Sequence, residues 1–250
     1  MKQKTSRSIL IYLLSGAALF ALTLPFHRIL AVFTVSEVRP AAVLYPFLGI
    51  SFGLPAALGI MTANFISDAL NGYSAAVLLE GLLPQFLYTY VPWLLWRRMT
   101  QGEEHIHRLD SVSKVLKFAA VCFVSAVLSG IGVGLIVYFN FGVDGLRAGL
   151  FVFLNNFDIS LVLGCPLMIL SNQIISRRSG SDREVTTNEK IILASALAEI
   201  VGLGILIATM CAKGFTVGVY DTWNSIYLFA LVLINTIMLA ALVTMVIAEK

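Results

Sequence analysis

Acidic residues inside apolar stretches are where this sequence carries its chemistry. Asp68, Glu80, Asp158 and Glu199 each lie within a hydrophobic run. An ionisable group there is costly, and it faces a cavity, a partner or water. Asn64 and Asn71 stand four before and three after Asp68, so at helical spacing all share one face. Glu80 opens the next run across the turn "NGYS", and Pro84 and Tyr88 continue its face. Asp158 has Asn155 one turn before it, and Glu199 lies at similar depth in a later run. Glu37 and Arg39 stand at the mouth of "SEVRPAAVLYPFLGISFGLPAALG". Acids outnumber bases in this set, which favours a cationic or amine-bearing ligand, or proton exchange. Arg39 then serves as an internal counter-ion or as a clamp for an anionic group. A structural role competes at each position. Asp68 and Glu80 can cap helix ends or pair with Arg39, and the Asn155-Asn156 pair can bond neighbouring helices.

Membrane helices must position these groups. The 250 residues are 58% hydrophobic and 12% charged, about half the charged share of a soluble domain. Mean hydropathy is +0.89. Strand-like alternation is absent, so an all-α, polytopic membrane helical bundle is expected over a barrel. About eight apolar segments follow: 8–25, 38–52, 55–70, 75–96, 112–139, 147–176, 188–212 and 223–248. A short amphipathic stretch, 26–35, follows the first. The second and third segments are short, and about sixteen residues cover only roughly 24 Å. Gly53-Leu54-Pro55 leaves almost no loop between them, which predicts tight antiparallel neighbours.

Orientation follows from the positive charges. With the N-terminus inside, most of the 17 Lys and Arg are cytoplasmic, among them Lys2, Lys4, Arg97, Arg98, Lys114, Arg177 and Arg178. Only Arg28, Arg39, Arg147 and Lys213 fall outside. Both termini are then cytoplasmic in the cell membrane. Read instead as a signal peptide, residues 2–26 would leave seven spans. The whole chain, 1–250, reads as one membrane domain. Its parts are a core over 1–176, a cytoplasmic loop over 177–190 and an additional helical hairpin over 188–250.

Several chemistries find no support in the residues. No G-x-x-x-x-G-K motif is present, and the longest polar stretches, 97–111 and 177–189, are too short for a nucleotide fold. The expectation is a non-enzyme with no cofactor, no metal site and no nucleic-acid partner. His105 and His107 lie beside Glu103 and Glu104, and a solvated loop explains them better than a metal. Cys122, Cys165 and Cys211 lie in apolar segments and read as small packing residues. Small residues at Ala17 and Ala21, at Gly130, Gly132 and Gly134, and at Gly202 and Gly204 permit close helix approach.

The stretch "RPAAVLYPFLGISFGLPAALGIMTANFISDALNG" resembles the second and third helices of substrate-binding (S) components of energy-coupling factor (ECF) transporters. Phe52-Gly53-Leu54-Pro55 stands where that family has an "FGP"-like turn, here with an inserted leucine. Gly59, Asn64 and Asp68 follow on the next helix. Ala17 and Ala21 are similar to the alanine motif by which the family's first helix docks a membrane coupling subunit. The stretch before Glu37 matches the loop that lids the family's substrate site. The likeness covers roughly the first six segments, is specific over 37–72, and leaves the last hairpin as an addition to a six-helix core. It implies uptake of a small water-soluble vitamin or related nutrient, with a coupling subunit and two cytoplasmic ATPases as partners. The substrate-binding set is then Glu37, Arg39, Asn64, Asp68, Glu80, Asn155, Asp158 and Glu199, with Arg39 and Glu80 gating or orienting the ligand. A sensor or regulatory module signalling through a partner, and a stand-alone ion-coupled carrier, are the alternatives.

Overall fold

The computed structural model describes residues 2–23, 31–33, 36–37, 40–101, 108–142, 144–178, 184–212 and 244. Within them the chain is an all-α bundle: α1 (Lys2–Thr23), α2 (Leu44–Phe52), α3 (Leu54–Leu70), α4 (Ala75–Met99), α5 (Val112–Phe141), α6 (Gly145–Arg178) and α7 (Thr187–Ala212). Among the described residues, three stretches are long and apolar enough to cross a membrane, Thr5–Thr23, Val112–Phe141 and Gly145–Ile174, and Pro40–Phe52 and Leu54–Leu70 are shorter apolar helices. The protein is therefore a multi-pass membrane protein. The eighth expected segment, 223–248, apart from Thr244, and the His105/His107 loop lie outside the described residues.

Local signals explain the boundaries. Ser74 and Ser111 cap α4 and α5, their hydroxyls accepting from the N–H groups of Val77 and Lys114. At α7 the Thr186 hydroxyl accepts from the Glu189 N–H, while the Glu189 carboxylate accepts from the Thr186 N–H at 3.0 Å. That reciprocal pair is a capping box. Gly142 ends α5 in the left-handed region, at φ 63°.

Three differences from the sequence reading are local. The stretch after α1 contains a two-stranded antiparallel ribbon, β1 (Ala31–Phe33) with β2 (Ser36–Glu37). In the described part of the second segment, Pro40–Val43 form a 3-10 turn and α2 proper has nine residues. The Gly53 turn is as tight as expected, but α2 packs chiefly on α4 and α3 chiefly on α1, so the two are chain neighbours more than packing partners. Gly53 has φ 66°, and a Cβ there would stand 2.8 Å from the Trp93 indole nitrogen, so backbone and neighbour both require glycine.

On α3 the buried face carries smaller and more polar residues than the exposed one. On α3 the buried positions include Ala56, Ala57, Gly59, Ala63, Asn64 and Ser67, while Leu54, Leu58, Ile66 and Leu70 point outward. This is the order expected where lipid is the solvent. The "GIGVG" glycines do what their spacing predicted. A Cβ on Gly130 would meet the Gly149 carbonyl oxygen at 2.6 Å, and one on Gly149 would meet that of Gly130 at 2.8 Å, so α5 and α6 cross backbone to backbone. Two apolar clusters complete the core. One gathers Trp96, Phe118, Cys122, Cys165, Met168 and Ile192, so Cys122 and Cys165 pack as expected, while the side chain of Cys211 lies outside the described residues. The other gathers Leu19, Leu44, Tyr45, Ile60 and Tyr88.

Candidate functional site

The α3–α4 turn and the α5–α6 turn lie at the same end of the alternating bundle. Below that end is a cavity of about 110 Å³. Each wall is one helical stripe. From α4 come Val77, Gly81, Gln85 and Tyr88, and from α5 Ser129, Val133, Val137 and Phe141. Val152, Asn155 and Asn156 come from α6, Asp68 from α3, Tyr73 from the α3–α4 turn, Ala42 from the 3-10 turn and Tyr45 from the start of α2.

Hydrogen bonds fix the polar part of the lining. The Tyr45 hydroxyl donates to Asn64 Oδ1 at 3.3 Å, and Asn64 Nδ2 donates to Asp68 Oδ2 at 2.7 Å. This chain orients the Asp68 carboxyl and uses it as an acceptor. Tyr88 forms the floor. Its hydroxyl lies 2.7 Å from Ser160 Oγ, 3.1 Å from the Asn156 carbonyl oxygen and 3.3 Å from that of Ala42. Its ring stacks on Tyr45 with centroids 4.7 Å apart. One phenol thus ties α4, α6 and the 3-10 turn together directly under the cavity. Asn156 Nδ2 donates to Ser129 Oγ at 3.1 Å, so this asparagine does bond a neighbouring helix.

The expected site residues divide into groups. Asp68 and Asn155 line the cavity, and Asn64 stands behind Asp68. Asn71 instead closes α3, its side chain donating to the Ser67 carbonyl at 2.7 Å. Glu80 is exposed, accepts from Asn140 Nδ2 at 2.7 Å, and stands outside the lining. Asp158 is buried one turn beyond Asn155 and outside the lining. Glu199 is buried on the α7 stripe that includes Ile192 and Ala196, close enough to Asp158 for the charges to interact. Neither carboxylate oxygen of Glu199 has a hydrogen-bond partner among the described residues. The Glu37 backbone belongs to β2, and Arg39 lies outside the described residues. Ala17 and Ala21 are exposed on α1.

Sequence reasoning missed Tyr45, Tyr73, Gln85 and Ser129. For Gln85 and Ser129 a signal was available: Gly81, Gln85 and Tyr88 on α4 follow helical spacing, and Ser129 is a polar residue within the apolar run of α5. No protein-family model, curated protein or solved structure matches the chain.

Proposed function

We propose that the chain is the membrane substrate-binding subunit of an uptake system for a small water-soluble vitamin or related nutrient. In this reading the chain has eight membrane segments with both termini in the cytoplasm, so the cavity opens outward. A coupling subunit and cytoplasmic ATPases drive release inward. The observation that carries the reading is the cavity itself. Asp68, Gln85, Asn155 and Asn156 converge on it from three helices, and polar side chains at membrane depth are expensive unless they serve a ligand or a pathway. Tyr88 seals the cavity on its inner side, as a binding subunit that does not leak requires. The outward-facing Ala17 and Ala21 fit the docking role that the ECF resemblance gives them.

The test is mass spectrometry of small molecules released from the gently purified full chain. A stoichiometric vitamin-like compound is expected, together with its absence from folded Asp68→Ala and Asn155→Ala proteins. A compound retained by both variants refutes the site.

An ion-coupled carrier is the second reading, favoured by Asp158 and Glu199. They are buried away from the cavity, and Glu199 lacks a protein partner among the described residues. Uptake into vesicles holding only this protein, abolished when the proton or sodium gradient is collapsed, would select it.

A further inference from the structure

We infer that Glu199 is a proton-binding site: its carboxyl carries a proton while packed against α6 and gives it up when water or a cation reaches its oxygens. The inference stands apart from the cavity and holds whatever the cavity takes. Glu199 lies with Ile192 and Ala196 on the buried stripe of α7, and it is 2% exposed, whereas Leu197 and Ile200 beside it point outward. Both carboxyl oxygens are buried and without a hydrogen-bond partner among the described residues. The titratable groups that face it come from α6: the Asp158 carboxyl and the Cys165 thiol, seven residues apart and so on one stripe of that helix. Among the described residues no lysine, arginine or histidine pairs with it. An ionised Glu199 would therefore have lost its water with no donor and no counter-charge in exchange, beside a second carboxyl. A group so placed takes up a proton instead. An apolar side chain would pack there without that difficulty, so the carboxyl points to a group whose charge changes in use. A metal ion fits less well, because it needs several oxygen ligands at once. No third histidine, cysteine or carboxyl among the described residues joins this pair in a metal-holding group.

Infrared difference spectroscopy of the full chain in lipid nanodiscs reads the proton directly, because the C=O stretch of a carboxylic acid is separate from that of a carboxylate. At neutral pH a carboxylic-acid band is expected in the wild type and should be missing from Glu199→Gln. Glu199→Leu, which fills the space without a polar group, serves where the amide does not fold. In Asp158→Asn the band should persist at mildly acidic pH, which separates Glu199 from its neighbour. The band should disappear at alkaline pH and shift in deuterium oxide, since a working site exchanges its proton. Sodium at constant pH should leave it in place. A neutral-pH spectrum that neither Glu199 variant changes would mean an ionised Glu199 and overturn the inference, with the cavity reading untouched. Loss of the band in Asp158→Asn would place the proton on Asp158 instead. Loss on adding sodium would make the site one for a metal cation, and a band that never shifts in deuterium oxide would make Glu199 a static buried acid. Each of these three results also overturns the assignment.

Discussion

Removing one oxygen atom from Tyr88 tests whether the cavity floor is held by a shared hydrogen-bond hub. The hydroxyl has one hydrogen, so it donates to one of the Asn156 carbonyl, the Ala42 carbonyl or Ser160 Oγ at a time, and it can accept from Ser160. Tyr88→Phe therefore loses at most two hydrogen bonds, not the three contacts that the distances outline. Ser160 keeps an alternative acceptor, since its hydroxyl reaches the Ala42 carbonyl at 3.4 Å. Side-chain hydrogen bonds in membrane proteins contribute about 0.6 kcal/mol on average and up to about 1.7. The expected cost of Tyr88→Phe is about 1–2 kcal/mol. Tyr88→Ala also forfeits the ring that stacks on Tyr45 and leaves a void at a position 1% exposed. It should cost about 3–5 kcal/mol. Reversible unfolding by denaturing detergent in mixed micelles gives both numbers. A double-mutant cycle with Ser160→Ala should return a coupling energy of about 1 kcal/mol. Stability of Tyr88→Phe within about 0.3 kcal/mol of wild type, with no coupling to Ser160, would refute the hub.

Two further outcomes are expected. Gly149→Leu should drive α6 off α5, because even a Cβ at this position would stand 2.8 Å from the Gly130 carbonyl oxygen. A loss of several kcal/mol, or failure to fold, is the scale of such overpacking, and wild-type unfolding behaviour would show that the helices cross elsewhere. Leucine at Ala17 and Ala21 should leave unfolding and ligand binding unchanged, since both side chains are exposed. The same change should abolish co-purification of a coupling subunit and ATPases, and intact co-purification would remove the docking role proposed for α1.

What was legible in the sequence was decided by backbone chemistry. Ser74, Ser111 and Gly142 mark helix ends that depend on residues within one turn, and the expected boundaries of the third to seventh segments fall close to the observed ones. Directions were harder. In lipid both faces of a helix are apolar, so the stripe facing a neighbour does not stand out by hydrophobicity. Leu58 and Ile60 look alike in sequence, yet the first is exposed and the second fully buried. Small and polar residues give the direction instead, and Gly59, Ala63 and Ser67 point inward on α3. By the same principle Asn64 is buried and Asp68 lines the cavity. At Asn71 a helix end claims the side chain instead, and at Glu80 Asn140 on another helix does. The β1–β2 ribbon was obscured because the register of so short a pair depends on contacts beyond its own residues.

The polar groups of the interior fall into two sets, and α6 carries both. Asn155 and Asn156 face the cavity, while Asp158, two residues beyond Asn156, lies outside it and near enough to Glu199 on α7 for their charges to interact. A rigid helix cannot move one set without the other. Any ligand that pulls on the Asn156 region also loads Tyr88, which bonds the Asn156 carbonyl, and Ser160, which shares the hydroxyl with it. The Tyr88–Ser160 contact lies just beyond Asp158 on α6, about one turn from Asn156. For a pure binding subunit this arrangement is a brace. For a carrier it is the element through which occupancy of the cavity and the charge on α7 would inform each other. The two readings assign opposite consequences to one change. If Glu199→Gln alters ligand affinity at the cavity, coupling through α6 is established and the carrier gains. If affinity is untouched while stability rises, Glu199 is a buried acid whose removal relieves an electrostatic cost, and the binding-subunit reading stands alone.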